Sequence, residues 1–124
     1  MAVCRSNLKQ FSIAIHYYAE DYDDKMPPTA NWSDVIIPYI VNMKAYVCPE
    51  AESLLCGYSC NYKLDGVNIK RITNIPDTPM LFDSAGGWNS AQDVEKAVTR
   101  HLGGYNCLFL DSHIKWIKRN KRKQ

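Results

Sequence analysis

The 124 residues, 46% hydrophobic and 23% charged, describe one domain with a modest core and exclude a disordered chain. No window reaches the ~18 consecutive apolar residues of a membrane helix, and Met1-Ala-Val-Cys-Arg5 lacks the basic start and apolar block of a secretory leader. The net charge of +2 conceals an asymmetry: residues 115–124 hold six of the fifteen basic residues and no acid, leaving nine basic and thirteen acidic groups before them, so an acidic body precedes a basic tail over 119–124.

The first element is a helix over about residues 3–23, roughly 30 Å long at 1.5 Å per residue. Cys4, Leu8, Phe11, Ile15, Tyr18 and Tyr22 recur at alternating spacings of four and three, which draws one apolar stripe along a helix surface. Ile13 and Tyr17 lie off that stripe and predict a second contact, with another chain. Glu20, Asp21, Asp23 and Asp24 oppose the macrodipole at the helix C-terminus, and Pro27-Pro28 completes the stop. These aspartates do not open a calcium loop: counting from Asp21, the fifth, sixth and twelfth positions are Lys25, Met26 and Trp32, where an EF-hand needs an oxygen ligand, glycine and glutamate.

A short helix follows over 31–40, with Asn31 or Ser33 as N-cap and Trp32, Ile36, Tyr39 and Ile40 on its buried face. Ala45 to Pro49 reads as a short extended piece, 50–60 as a loop, and Tyr58 to Leu64 as an alternating strand ending at the Asp65-Gly66 turn. Met80 to Asp83 is a strand, and Ser84 to Ser90 an exposed loop. The closing segment, Arg100 to Trp116, carries a Gly-Gly turn and two strands, 105–110 and 113–117, joined by Asp111-Ser112, where serine is a costlier occupant than glycine. The order predicts an α+β fold, a long N-terminal helix packed on a small antiparallel β-sheet, in one domain over 1–118.

Of the five cysteines, Cys107 reads as a buried free thiol in a strand. Cys4, Cys48, Cys56 and Cys60 contain no CxxC zinc pair; an oxidising compartment would join some of them, and a reducing one would leave thiols.

Several motifs in order resemble prepilin-like proteins, the type II secretion pseudopilins and related pilin-like proteins of planctomycete and verrucomicrobial-type bacteria. They are Cys4-Arg-Ser-Asn-Leu-Lys-Gln10, Tyr18-Ala-Glu-Asp-Tyr-Asp-Asp24 with Pro27-Pro28, Tyr46-Val-Cys-Pro49, Leu81-Phe-Asp-Ser84, and His101 followed after nine residues by Asp111, then His113-Ile-Lys-Trp116. The last departs from the pattern, because Ser112 stands where those proteins carry glycine. The resemblance covers about two-thirds of the chain and is weakest over 50–78 and 85–99. It implies a pilin-like fold and a non-catalytic subunit of a type II secretion or type IV pilus-like assembly. It also implies an extracytoplasmic location, other pilin-like subunits as partners through the N-terminal helix, and an inner-membrane anchor in a preceding segment missing from this sequence. An extracytoplasmic domain would carry at least one disulfide among Cys4, Cys48, Cys56 and Cys60: Cys4 with Cys48 would staple the helix to the body, and Cys56 with Cys60 would close a small loop.

Two other readings compete. Asp83, His101, Asp111 and His113 all fall at strand ends or turns, and carboxylates with imidazoles suit zinc or another divalent metal, in a structural site or a metal-dependent hydrolase. Against it, Asp111 would bond its own turn and the histidines would be hydrogen-bonded and partly buried, and this simpler account ranks first: no cofactor is required, and no enzyme is expected. The second is nucleic-acid binding by Lys115 to Lys123 with Trp116 stacking on a base. It ranks behind a solvated terminus, because Trp116 alternates with Ile114 toward the core.

Overall fold

The computed structural model describes residues 1–119. Helix α1 spans Ala2–Asp21, and its stripe is the core of the molecule: Cys4, Leu8, Phe11 and Ile15 are completely buried. Phe11 is the hub, its ring edge-on to Trp32, Tyr46 and Tyr58. Such aromatic pairs add to burial because ring edges and faces carry opposite partial charge. The chain leaves α1 through two left-handed residues, Asp23 (φ 58°) and Asp24 (φ 60°), with the Asp24 amide donating to Ala19 at 2.7 Å. Aspartate tolerates that conformation better than most side chains, so backbone geometry joins charge in ending the helix. Tyr22, predicted on the buried stripe, is exposed and stacks on Tyr18.

The sheet is five-stranded, in the order β3-β1-β2-β4-β5, from β1 (Tyr58–Asn61), β2 (Pro79–Asp83), β3 (Ala91–Gln92), β4 (Gly104–Phe109) and β5 (Ile114–Lys118). The α+β architecture is as expected, a helix laid on a sheet. The sheet is mixed rather than antiparallel, because the short β3 runs parallel to β1. β2 pairs antiparallel with both β1 and β4, setting Tyr58 opposite Asp83 and Phe82 opposite Cys107. Leu81 and Leu108 face α1, while Phe82, Tyr105, Cys107 and Phe109 form a smaller cluster with Ala97 on the reverse side. Cys107 is a buried thiol there, as its strand position predicts.

Four segments differ from their predicted form; the first, the strand predicted from Tyr58 to Leu64, stops at Asn61, and Tyr62–Leu64 is a 3-10 turn because Asn61 accepts the Lys63 amide. The helix over 31–40 is two short pieces, α2 (Trp32–Val35) and a 3-10 turn Ile37–Tyr39 with Pro38 inside it; α2 is capped not by Asn31 but by Asn89, whose Oδ1 accepts from the amides of Ser33 and Asp34. The extended piece predicted over 45–49 is preceded and entered by a 3-10 turn, Met43–Tyr46, because Asn42 accepts the Lys44 amide, and the chain is extended again at Val47. The 84–90 segment is docked rather than exposed: Ser84 is fully buried, Trp32 donates to the Ser90 carbonyl, and Trp88 to Asp34. Arg119, assigned to the tail, belongs to the domain, donating to Ala97 and covering the Tyr105 ring. The remainder of that tail, 120–124, lies outside the described residues.

Candidate functional site

The site is built at the end of β4 that lies under the start of α1. His101 and Gly104 close a two-residue hairpin with reciprocal backbone bonds of 3.2 and 3.0 Å. Leu102 (φ 58°) and Gly103 (φ 79°) occupy its centre, the paired positive angles of a type I′ turn. Gly104 has no side chain because Trp116 lies across it; a Cβ there would stand 2.6 Å from the ring and from the Ile117 carbonyl. The Trp116 indole donates to the His101 carbonyl at 2.8 Å. The turn and the ring above it therefore fix where the His101 imidazole points.

That imidazole is buried. Its Nδ1 meets Glu50 Oε1 at 3.1 Å, and its Nε2 faces Asp83 Oδ1 at 3.6 Å and Cys48 Sγ at 3.7 Å. Asp83, the last residue of β2, is wholly buried. Its Oδ2 accepts the Asn106 amide at 2.8 Å, while its Oδ1 has no hydrogen-bond partner. Burial pushes its carboxyl up to about 6 against the Asn106 N–H and the nearby His101 and Arg100, which favour the ionised form. Arg100 is held by the carbonyls of Ser84 and Gly57.

Cys4, on the first turn of α1, brings its sulfur to 2.7 Å from Cys48. Sharing its proton with Cys48, together with burial, raises the Cys4 thiol; the same hydrogen bond, helped by Arg100, lowers Cys48. Asn7, one turn further along α1, donates to the Val47 carbonyl and the Tyr58 hydroxyl, both at 3.0 Å, so α1 is tied to the Cys48 loop and to β1. Gly57 allows that loop its close approach, because a Cβ there would lie 2.9 Å from the Cys48 Cβ. The four ligand atoms of Cys4, Cys48, Asp83 and His101 all fall within 4.8 Å of one another.

Of the predicted metal set, Asp83 and His101 converge because β2 and β4 are neighbours. Asp111 and His113 do not join them. They sit past the other end of β4, roughly 20 Å away along the strand at about 3.3 Å per residue. There Asp111 accepts the His113 amide at 3.0 Å and its ring nitrogen, the self-bonded turn of the simpler account. Of the predicted disulfide candidates, Cys4 and Cys48 are adjacent, and all are free thiols. Cys56 and Cys60 are not bridged: Cys56 donates to the Tyr58 carbonyl and Cys60 to that of Asn61, and burial raises them to about 11 and about 12. Sequence reasoning missed Glu50, Arg100 and Asn106. The first two adjoin motif residues, Pro49 and His101, and could have been proposed from that; Asn106 carries no such signal. Comparison with protein-family models, with curated proteins and with solved structures returns no match to this chain.

Proposed function

We propose that this chain is a non-catalytic, pilin-like assembly subunit that meets its neighbours through the outer face of α1. One observation carries the reading. The stripe of α1 that contains Cys4, Leu8, Phe11 and Ile15 is spent on the sheet, yet Ile13 and Tyr17 on the opposite side are 54% and 55% exposed. Large apolar groups gathered on the water side of a helix mark an interaction surface. Beside Ile13 and Tyr17, an open cleft of about 340 Å³ runs to Ser112 in the β4–β5 turn, which would receive side chains of an adjoining helix.

The motif resemblance supplies the rest of the proposal: an extracytoplasmic head, other pilin-like subunits as partners, and an inner-membrane anchor preceding α1 in the full-length protein. Among the described residues no helix is long and apolar enough to cross a membrane, so the anchor in this reading is a separate segment. Nucleic acid and catalysis have no part in it.

Site-specific photocrosslinking tests it. A photoreactive residue at Ile13 or Tyr17, in the full-length protein in its own cells, should trap a second copy or another pilin-like subunit, and one at exposed Asp77 should not. Adducts equal at all three positions, or none at any, would overturn the proposal, as would recovery of the protein from the cytoplasm.

A further inference from the structure

We propose that Cys4, Cys48, Asp83 and His101 form a closed, structural zinc site that pins the first turn of α1 to the sheet. The inference does not rest on the assembly reading; it requires Cys4 and Cys48 to stay reduced, so the zinc site and a Cys4–Cys48 disulfide exclude each other.

Donor chemistry comes first. Two sulfurs, an imidazole and a carboxylate match the ligand preferences of zinc, and four protein donors with no open position characterise structural rather than catalytic sites. All four side chains are buried, none more than 2% exposed. Zinc bond lengths of about 2.3 Å to sulfur and 2.0–2.2 Å to nitrogen and oxygen imply tetrahedral edges of about 3.5 Å for S–N and about 3.3 Å for N–O. The Cys48–His101 and His101–Asp83 separations are 3.7 and 3.6 Å. The two sulfurs, at 2.7 Å, would part by about 1 Å to reach a sulfur–sulfur edge.

The second observation is independent of the sulfurs. Among the described residues the buried side-chain polar atoms without a partner are Asp83 Oδ1 and the two amide atoms of Asn106. All three belong to residues joined by the Asn106 N–H to Asp83 Oδ2 bond. An orphaned buried polar atom costs about 1–3 kcal/mol, more when charged, and a cation among the four donors would satisfy Asp83 Oδ1 directly. A bond between Cys4 and Cys48 would leave that oxygen as it is.

The surroundings fit as well. A zinc-bound histidine ordinarily offers its other ring nitrogen to a carboxylate, which fixes the tautomer; here His101 Nδ1 meets Glu50. Charge also balances. Two thiolates and one carboxylate leave a zinc complex at −1, which Arg100, acting on both Cys48 and Asp83, neutralises, while the Glu50 carboxylate is met by the Met1 ammonium at 3.5 Å. On binding, each thiol that still holds its proton releases it to solvent.

The test uses the full chain, purified without chelator under reducing conditions. Elemental analysis should find roughly one zinc per chain, falling to background in Cys48→Ser and His101→Gln. Metal-free wild type titrated with zinc alone should rise in melting temperature. With cobalt(II) it should show the thiolate-to-metal charge-transfer band, which Cys48→Ser should lack. Glu50 is half-exposed, so Glu50→Gln will fold even if the buried variants do not, and should weaken zinc binding about 10-fold or more. Folded, reduced wild type that neither takes up zinc nor gains thermal stability from it would overturn the proposal. So would chain purified without reductant in which peptide mapping finds Cys4 joined to Cys48 and which ignores zinc after reduction.

Discussion

The two ends of β4 carry the same pair of residue types in opposite circumstances. At one end His101 faces Asp83 with neither side chain exposed; at the other His113 faces Asp111 with side chains 45% and 36% exposed. Burial disfavours the ionised form of Asp83, whereas the His113 N–H and ring favour that of Asp111. An aspartate and a histidine at a strand end are thus compatible with a buried polar centre or with a solvated turn. What separates them is how much protein lies above: α1 and the Cys48 loop cover the first pair, and water covers the second.

Truncation breaks the comparison most sharply. His101→Ala removes a buried ring, leaves a cavity and takes a partner from Glu50; a loss of about 2–4 kcal/mol is expected. His113→Ala should cost under about 1 kcal/mol, because an exposed ion pair and one ring stack on Phe109 are worth little in water. Urea unfolding of both variants measures the difference, and similar losses would refute the account of the two ends given above.

The backbone that aims His101 gives the next two effects. Gly104→Ala drives a methyl group to 2.6 Å from the Ile117 carbonyl, which is backbone and cannot swing aside, so about 1–3 kcal/mol of overpacking is expected. Leu102→Asn should act in the opposite sense. Leu102 is 83% exposed and held at φ 58°, a conformation that asparagine adopts at lower cost. Little contact is lost, so stability should rise by about 1 kcal/mol, read as an increase in the urea midpoint at unchanged slope.

How far these features could be read in advance follows from how local they are. The α1 stripe and the outward Ile13 and Tyr17 were visible because helical periodicity needs only one element. β4 and β5 were visible from the apolar run and the alternation around Trp116. β3 was not, since Ala91-Gln92 has no alternation, and its parallel pairing depends on the 84–90 segment docking against α2 through Ser33, Asp34 and Asn89. Within the site, Asp83 with His101 followed from the chance that their strands were neighbours, and Cys4 with Cys48 from a staple that the family resemblance implied. That the two pairs are one cluster was hidden. It requires β4 to be internal to the sheet and the Cys48 loop to reach His101, and both are tertiary facts that no spacing of residues records.

The smallest effect belongs to the exposed end, and its sign is fixed by its chemistry. Asp111 is held below its ordinary value of 3.8 by the His113 N–H and ring. The ionised form is therefore favoured by folding, and its contribution is fully present above the unfolded value and lost as pH falls through the lower folded one. Asp111→Asn keeps an oxygen for the amide but carries no charge to lose. Its melting temperature, compared with that of wild type, should lie slightly lower at about pH 5 and converge on it toward about pH 2. Solvent screening at this surface turn keeps the gap near the resolution of a melting curve, and salt should narrow it further. A gap that widened on acidification would mean that the turn is held by something other than this carboxylate, and the contrast between the two ends of β4 would then rest on burial alone.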